Sequence, residues 1–214
     1  MDQYVINHSK EPIRVFKSDF LEFFTHISPV VVLIIWVPVA LFFLLQGVIE
    51  ARPDGVYWHI PLGFLAGLFI WTFAEYTLHR FVFHFKPRAP WQEPLVYLFH
   101  GIHHVQPQCK TRLVMPPVVS IPLAALFYGL FYLITAGLLG VPQWTAPLFS
   151  GFITGYLAYD MTHYATHHLP MRSGVLKALK RNHMLHHYKT PEQRFGVSSM
   201  IWDHVFGTAV REKV

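Results

Sequence analysis

Ten of the fifteen histidines in this chain fall into four short clusters: HRFVFH (His79 and His84), HGIHH (His100, His103 and His104), HYATH (His163 and His167) and HMLHH (His183, His186 and His187). Neutral imidazole is a common ligand for zinc, iron, copper and nickel. Ten such ligands exceed the positions around one ion, so the count points to two metals. Residues three and four apart share one face of a helix, so the last three clusters can each converge on a point. His79 and His84 differ, because five residues rotate roughly 500° at 3.6 residues per turn and would splay on a continuous α-helix. The helix is therefore expected to end or loosen near Phe83, ahead of Lys86 and Pro87. Any one cluster alone reads equally well as polar residues at a membrane surface; four together do not.

The elements that must carry these clusters are apolar. Hydrophobic residues make up 53% of the 214 and charged residues only 14%, well under the quarter usual for soluble domains. Three runs lack any charge: Ser28 to Ile49, Gly55 to Ala74 and Leu113 to Tyr159, of 22, 20 and 47 residues. A helix needs about 20 apolar residues to cross a bilayer, so the first two supply one crossing each and the third supplies two. Gly140, Val141, Pro142 and Gln143 form the hairpin between the latter pair. The expected fold is all-α and integral to the membrane, a single domain over residues 1–214. Its four transmembrane helices lie at about 28–49, 56–79, 115–139 and 144–166, with cytoplasmic and interfacial helices forming a histidine-rich cap. Such runs are too long and too many for a cleaved signal peptide; buried core helices are the minor alternative.

Four crossings return both termini to one side, and charge agrees. Of 17 Lys and Arg, three precede the first run, five lie in Arg80 to Arg112, eight occur from Arg172 onward, and only Arg52 falls on the other side. This bias places the termini and the middle loop in the cytoplasm. All four histidine clusters then lie at cytoplasmic ends of crossings or in cytoplasmic segments, although histidine was not used to locate them. Asp19 and Glu22 mark a helix start ahead of Phe20, Leu21, Phe23, Phe24 and Ile27, which reads as a helix lying flat on the bilayer. Pro87, Pro90 and Pro94 break up the loop before Leu95 to Phe99 leads into HGIHH. The net charge of +5 favours anionic lipid headgroups. Because the basic residues flank membrane segments and form no separate patch, no nucleic-acid partner is expected. Cys109 is the only cysteine, which excludes an internal disulfide and suits a reducing face.

Metal-bound histidines commonly donate their other ring N–H to a carboxylate or carbonyl. Glu75, four before His79, and Asp160, three before His163, are the best candidates for that role. Asp203 is a further one, and His168 reads as a headgroup or supporting residue beyond the ligand pair. An interfacial carboxylate paired with Arg or Lys is an equal reading for the acids. His8, His26, His59 and His204 have no clustered partner and read as ordinary polar residues. Trp36, Trp58, Trp71, Trp91, Trp144 and Trp202 read as interface anchors or packing residues.

The order HRFVFH, HGIHH, THYATHH and NHMLHHYK, followed by FGVSSMIWDHVFGT, resembles the fatty acid hydroxylase superfamily, and most closely its fatty acid 2-hydroxylase branch. The likeness runs from about Phe16 to Thr208 and includes VFKSDFLEFFTHIS, IWTFAEYTLHRFVFHFK and RLVMPPVVS. It implies a membrane monooxygenase with a dinuclear metal centre that uses dioxygen to hydroxylate carbon 2 of a fatty acyl chain, free or in a ceramide-type sphingolipid. Two iron ions are implied, on the ten clustered histidines, with no catalytic side chain beyond these ligands. Nitrogen sites bind zinc more tightly than ferrous iron, so zinc in purified protein is also expected. Residues 1–15 are too few for the fused cytochrome b5 domain of fungal and animal members, and no HPGG motif occurs. This resembles the plant and bacterial type and implies a separate cytochrome b5-like or ferredoxin-like electron donor. The implied location is the endoplasmic reticulum in a eukaryote and the inner membrane in a bacterium. Two other readings remain open: another histidine-cluster lipid oxidase, acting on sterols or carotenoids, and a metal or proton transporter. A transporter would spread histidines through the bilayer's depth.

Overall fold

Ser18 accepts from the Leu21 N–H and opens α1 (Asp19–Phe23), a short helix whose Phe20 and Phe23 are 72% and 75% exposed. Such large apolar exposure on one turn fits a helix lying on a lipid surface. Ser28 caps α2 (Pro29–Ala51), with Pro29 at the first helical position where its missing N–H costs nothing. The computed structural model describes residues 6–9, 11–53 and 55–210, and everything described is helix, turn or loop, without a strand. Lys10, Arg211 and Lys213, counted above in the charge bias, lie outside the described residues.

The chain continues through α3 (His59–Thr77), the short α4 (Glu93–Val96) and α5 (Ile102–Val105), α6 (Pro117–Tyr132), α7 (Thr145–His168), α8 (Gly174–Tyr188) and α9 (Ile201–Val205). Three helical stretches are long and apolar enough to cross a membrane: Pro29–Ala51, His59–Phe83 and Pro117–Leu138. The fourth expected crossing, α7, has the length at 24 residues. It carries Ser150, Thr154, Asp160 and His163 and is not among those three. Contacts divide the chain into two units, one formed by Ile27–Trp71 with Met115–Ala158, the other by the residues up to His26, Thr72–Val114 and those from Tyr159 onward.

The first of these units is apolar on both its inner and its outer surfaces. Along α2, Val32, Trp36, Ala40 and Gly47 are buried, while Ile34, Leu41, Phe42 and Leu45 are exposed. A helix that is hydrophobic all round faces lipid on the side its neighbours do not cover. Inside, aromatic pairs interlock, Phe43 on Phe149 and Trp71 on Phe152 at 4.8 and 5.0 Å between centroids. The Ser150 hydroxyl donates to the Ala40 carbonyl at 2.7 Å. Helices α3 and α7 approach closest at two glycines. A Cβ on Gly151 would stand 1.9 Å from the Phe64 carbonyl oxygen, and one on Gly67 2.0 Å from that of Leu148. The obstructing atoms are backbone, so the helices would have to separate. Gly151→Ala is therefore expected to cost about 1–3 kcal/mol through overpacking. Melting in detergent checks this against Gly129→Ala, where a Cβ meets nothing within 4 Å and no loss is expected.

In the other unit the N-terminal segment is strapped along α5. The Asn7 N–H donates to the Val105 carbonyl at 2.8 Å. The buried Gln106 accepts from the Ile13 N–H and donates to the Glu11 carbonyl at 2.8 and 2.9 Å. Arg112 donates to the Ile13 carbonyl and to Glu22, both at 2.6 Å. Burial alone would raise the Glu22 pKa. The Phe16 N–H, His26, the Val15 N–H and Arg112 together outweigh it and bring the carboxyl to about 2. The strap thus fixes the backbone from which His103 and His104 project.

Candidate metal centre

The helix loosens where the sequence required it. Leu78–Phe83 is a π-helical turn, closed by the His84 N–H on the His79 carbonyl at 3.1 Å. With about 4.4 residues per π turn, five residues rotate only about 50° past a full circle. His79 and His84 therefore face the same way, with ring centroids 5.0 Å apart. A second π segment, Tyr97–Gly101, precedes α5 and carries His100. His163 and His167 come from the end of α7, and His183, His186 and His187 from the end of α8.

All ten clustered histidines converge, and they sort into two sets of five. His79, His84, His100, His104 and His186 form one, His103, His163, His167, His183 and His187 the other, and within each set the potential ligand atoms lie within 4.8 Å of one another. The partition follows from helical rotation. Adjacent positions point about 100° apart, so His103 and His104 serve different sets, as do His186 and His187. The two sets meet where His104 stacks on His187, at 4.1 Å and 22° between ring planes.

The rings face one another through their Nε2 atoms. His79 Nδ1 lies 2.6 Å from the Phe195 carbonyl and His186 Nδ1 lies 2.7 Å from that of Gln193. A carbonyl can only accept, so Nδ1 carries the proton in both rings and Nε2 presents a lone pair. Those Nε2 atoms sit 3.0 Å from His100 Nε2 and 3.0 Å from His84 Nε2. In the second set the Nε2 atoms of His103 and His163 are 2.8 Å apart, and those of His167 and His183 are 2.9 Å apart. Metal–nitrogen bonds of about 2.0–2.1 Å at right angles place two ligand atoms about 2.9 Å apart. The buried Nε2 atoms of His104 and His187 have no hydrogen-bond partner. This donor set fits two metal ions. Burial, reinforced by the neighbouring imidazoles, holds His100, His103, His104, His183 and His187 well below 6.5, so they are neutral and available as ligands at pH 7.

Two of the acids named from the sequence, Glu75 and Asp203, reach the histidines one step further out than expected. Glu75 accepts from the N–H groups of Val197 and Ser198 at 2.6 and 2.8 Å and pairs with the Ser198 hydroxyl. Asp203 accepts from the Phe195 and Gly196 N–H groups at 2.8 and 2.9 Å. For these two, the expected carboxylate-to-imidazole contact is replaced by a carboxylate-to-loop-to-imidazole one. The reason is length: the loop's carbonyls reach the rings, and its amides then need acceptors. Asp160 is buried one turn before His163. His168 stands outside both sets, against Tyr164 at 4.8 Å. Of the unclustered histidines, His26 pairs with Glu22 at 2.9 Å, His59 packs near Trp144 at 6.0 Å, and His8 and His204 are exposed. The carbonyls of Gln193 and Phe195 were not singled out in the sequence. A cavity of about 630 Å³ lies beside the first set, lined by Arg80, Phe81, His84, Lys86, Arg88 and Glu192 among others.

A family model described as Fatty acid hydroxylase matches residues 64–208. The chain is 40% identical over 202 residues to a dihydroceramide fatty acyl 2-hydroxylase of Arabidopsis thaliana, covering 94% of this chain and 81% of that one. To the fatty acid 2-hydroxylase of Mus musculus it is 35% identical over 233 residues, covering 99% and 60%. The solved structure of full-length scs7p, in which only the hydroxylase domain is visible, superposes with a TM-score of 0.81 at 36% identity, over 92% of this chain and 72% of that one. With its histidine order, its helices and its relatives in agreement, this chain belongs to the fatty acid hydroxylase family.

Proposed function

We propose that this chain is a membrane lipid monooxygenase that hydroxylates carbon 2 of a fatty acyl chain, free or within a ceramide-type sphingolipid, using dioxygen and two iron ions. The observation that carries this reading is the pair of five-histidine sets whose ring nitrogens face one another at ligand spacing. The relatives' names supply the substrate class, a fatty acyl chain hydroxylated at carbon 2. Each set would hold one iron, and the two ions together would supply the redox capacity to reduce dioxygen. The chain's own contribution is to keep the imidazoles neutral, to set the tautomers of His79 and His186, to exclude water by burying the rings, and to leave no side chain with an acid or base role.

The same proposal includes a single hydroxylase domain with four crossings and the histidines at the cytoplasmic face, in the endoplasmic reticulum or a bacterial inner membrane. Its support is the charge bias, the three long apolar helices and α7. Electrons would arrive from a separate acidic donor, cytochrome b5-like or ferredoxin-like. The cations Arg80, Lys86 and Arg88 around the cavity at His84 suit such a partner by charge complementarity.

A headgroup held at the basic surface leaves only the first few acyl carbons within reach of the histidines. Feeding acyl chains dideuterated at carbon 2 to cells expressing the protein is expected to yield 2-hydroxy product with one deuterium lost, read by mass spectrometry. Retention of both deuteriums with oxygen in mid-chain or on a sterol would reject the assignment.

A further inference from the structure

Arg194 is the one described residue other than glycine with a left-handed backbone, at φ 63°. Only glycine adopts that conformation without cost. An arginine held there needs compensation, and the surroundings provide it. The residue is 8% exposed. Its Nη1 donates to Asn182 Oδ1 at 3.2 Å and its Nη2 to the Val210 carbonyl at 2.6 Å. Its own N–H donates to the Thr208 carbonyl at 3.2 Å. Asn182 in turn donates to the Gly196 carbonyl at 3.0 Å, so the guanidinium and the loop beyond it share one anchor on α8.

What flanks Arg194 gives the strained residue a purpose. The carbonyl before it, on Gln193, receives His186 Nδ1–H, and the carbonyl after it, on Phe195, receives His79 Nδ1–H. Both histidines belong to the first set, and their ring centroids are 4.7 Å apart. An extended chain repeats its carbonyls on one side about every 6.8 Å, too widely for rings so close. A left-handed residue between them shortens the segment. We propose that Arg194 is a positioning residue for the first histidine set: anchored on Asn182 and Val210, it holds the turn that aims two carbonyls at His186 and His79 and so fixes which nitrogen of each faces the metal.

This inference rests on the reading that each set holds one ion, and the test separates the two. Purified holoprotein is exposed to an excess of a chromogenic chelator, and the release of each metal equivalent is timed. Wild-type protein is expected to release two equivalents, one phase of which disappears in His84→Ala. In Arg194→Gly, which suits the left-handed backbone but lacks the anchors, that same phase should accelerate by about 10- to 100-fold, the range for lost supporting contacts at metal ligands. The other phase should keep its wild-type rate. Arg194→Ala, which also strains the backbone, should release the first equivalent at least as fast. If Arg194→Ala does not fold, Arg194→Gly decides alone.

Wild-type rates for both equivalents in Arg194→Gly would overturn the proposal, because the position would then require only a permissive backbone. Equal acceleration of both phases would also overturn it, by showing a general structural role. Fewer than two equivalents in wild-type protein would instead count against two-ion binding itself, and the Arg194 proposal would fall with it.

Discussion

Alanine at His103, His167 or His187, taken singly, is expected to abolish hydroxylation and to halve the metal content. All three belong to the second set of five, so each substitution would remove one ligand from the ion proposed for that set and leave the first set whole. The rings are close to their set partners, His103 to His163 at 4.4 Å and His167 to His187 at 4.7 Å between centroids. A truncated ring leaves a buried void that the neighbours cannot fill without moving. If two-electron reduction of dioxygen needs both ions, loss of one removes turnover by more than about 100-fold, beyond the 10- to 100-fold of a supporting contact. His84→Ala should do the same through the other set, and His84→Ala combined with His167→Ala should leave almost no metal. Elemental analysis of purified variants, paired with 2-hydroxy product by mass spectrometry, gives both readouts. Full metal content with wild-type turnover in the single variants would remove the basis for a two-ion centre.

The histidines were legible because their signal is local: type, number and spacing lie within six residues of one another in each cluster. Even the anomaly at His79 and His84 carried information, since five-residue spacing has no place on an α-helix and the chain answers with a π turn. The division into two sets was not legible, because it depends on how four helix ends are rotated about one another, and no single cluster encodes that. His103 and His104 are neighbours in sequence but serve different sets. The long apolar helices were readable from the lack of charge over 20 or more residues. Helix α7 shows the limit of that signal. It carries polar residues that the uncharged run conceals, such as Ser150, whose hydroxyl is spent on the Ala40 carbonyl. The supporting loop was invisible for a different reason. Its contribution to His79 and His186 is made by backbone carbonyls, which every residue has, so no side-chain pattern marks Gln193 or Phe195. The stretch FGVSSMIWDHVFGT, which begins at Phe195, held only part of the loop and did not name its task.

That loop is also where the other large effect is expected. Four successive amides, from Phe195 to Ser198, donate to just two carboxylates, Asp203 for the first two and Glu75 for the last two. Asp203 is fully buried and also accepts from the Thr208 hydroxyl at 2.7 Å. Asp203→Ala would strand two buried N–H groups, each costing about 1–3 kcal/mol without a partner, with the Thr208 hydroxyl adding to that. A loss of about 3–6 kcal/mol is expected, seen as a fall in melting temperature on the order of 10–20 °C at about 2–4 °C per kcal/mol for a chain of this size. The consequence reaches the histidines because Phe195 both donates to Asp203 and accepts from His79. When its amide is released, its carbonyl loses its aim, and metal affinity should fall by about 10- to 100-fold. Asp203→Asn separates charge from acceptor count, since the amide keeps one accepting oxygen but turns an NH2 group toward a donor. It should therefore recover only part of the stability. Equilibrium melting together with metal titration of both variants tests the chain of contacts. If Asp203→Ala melts with the wild type and holds metal as tightly, the carboxylates do not support the histidines through this loop.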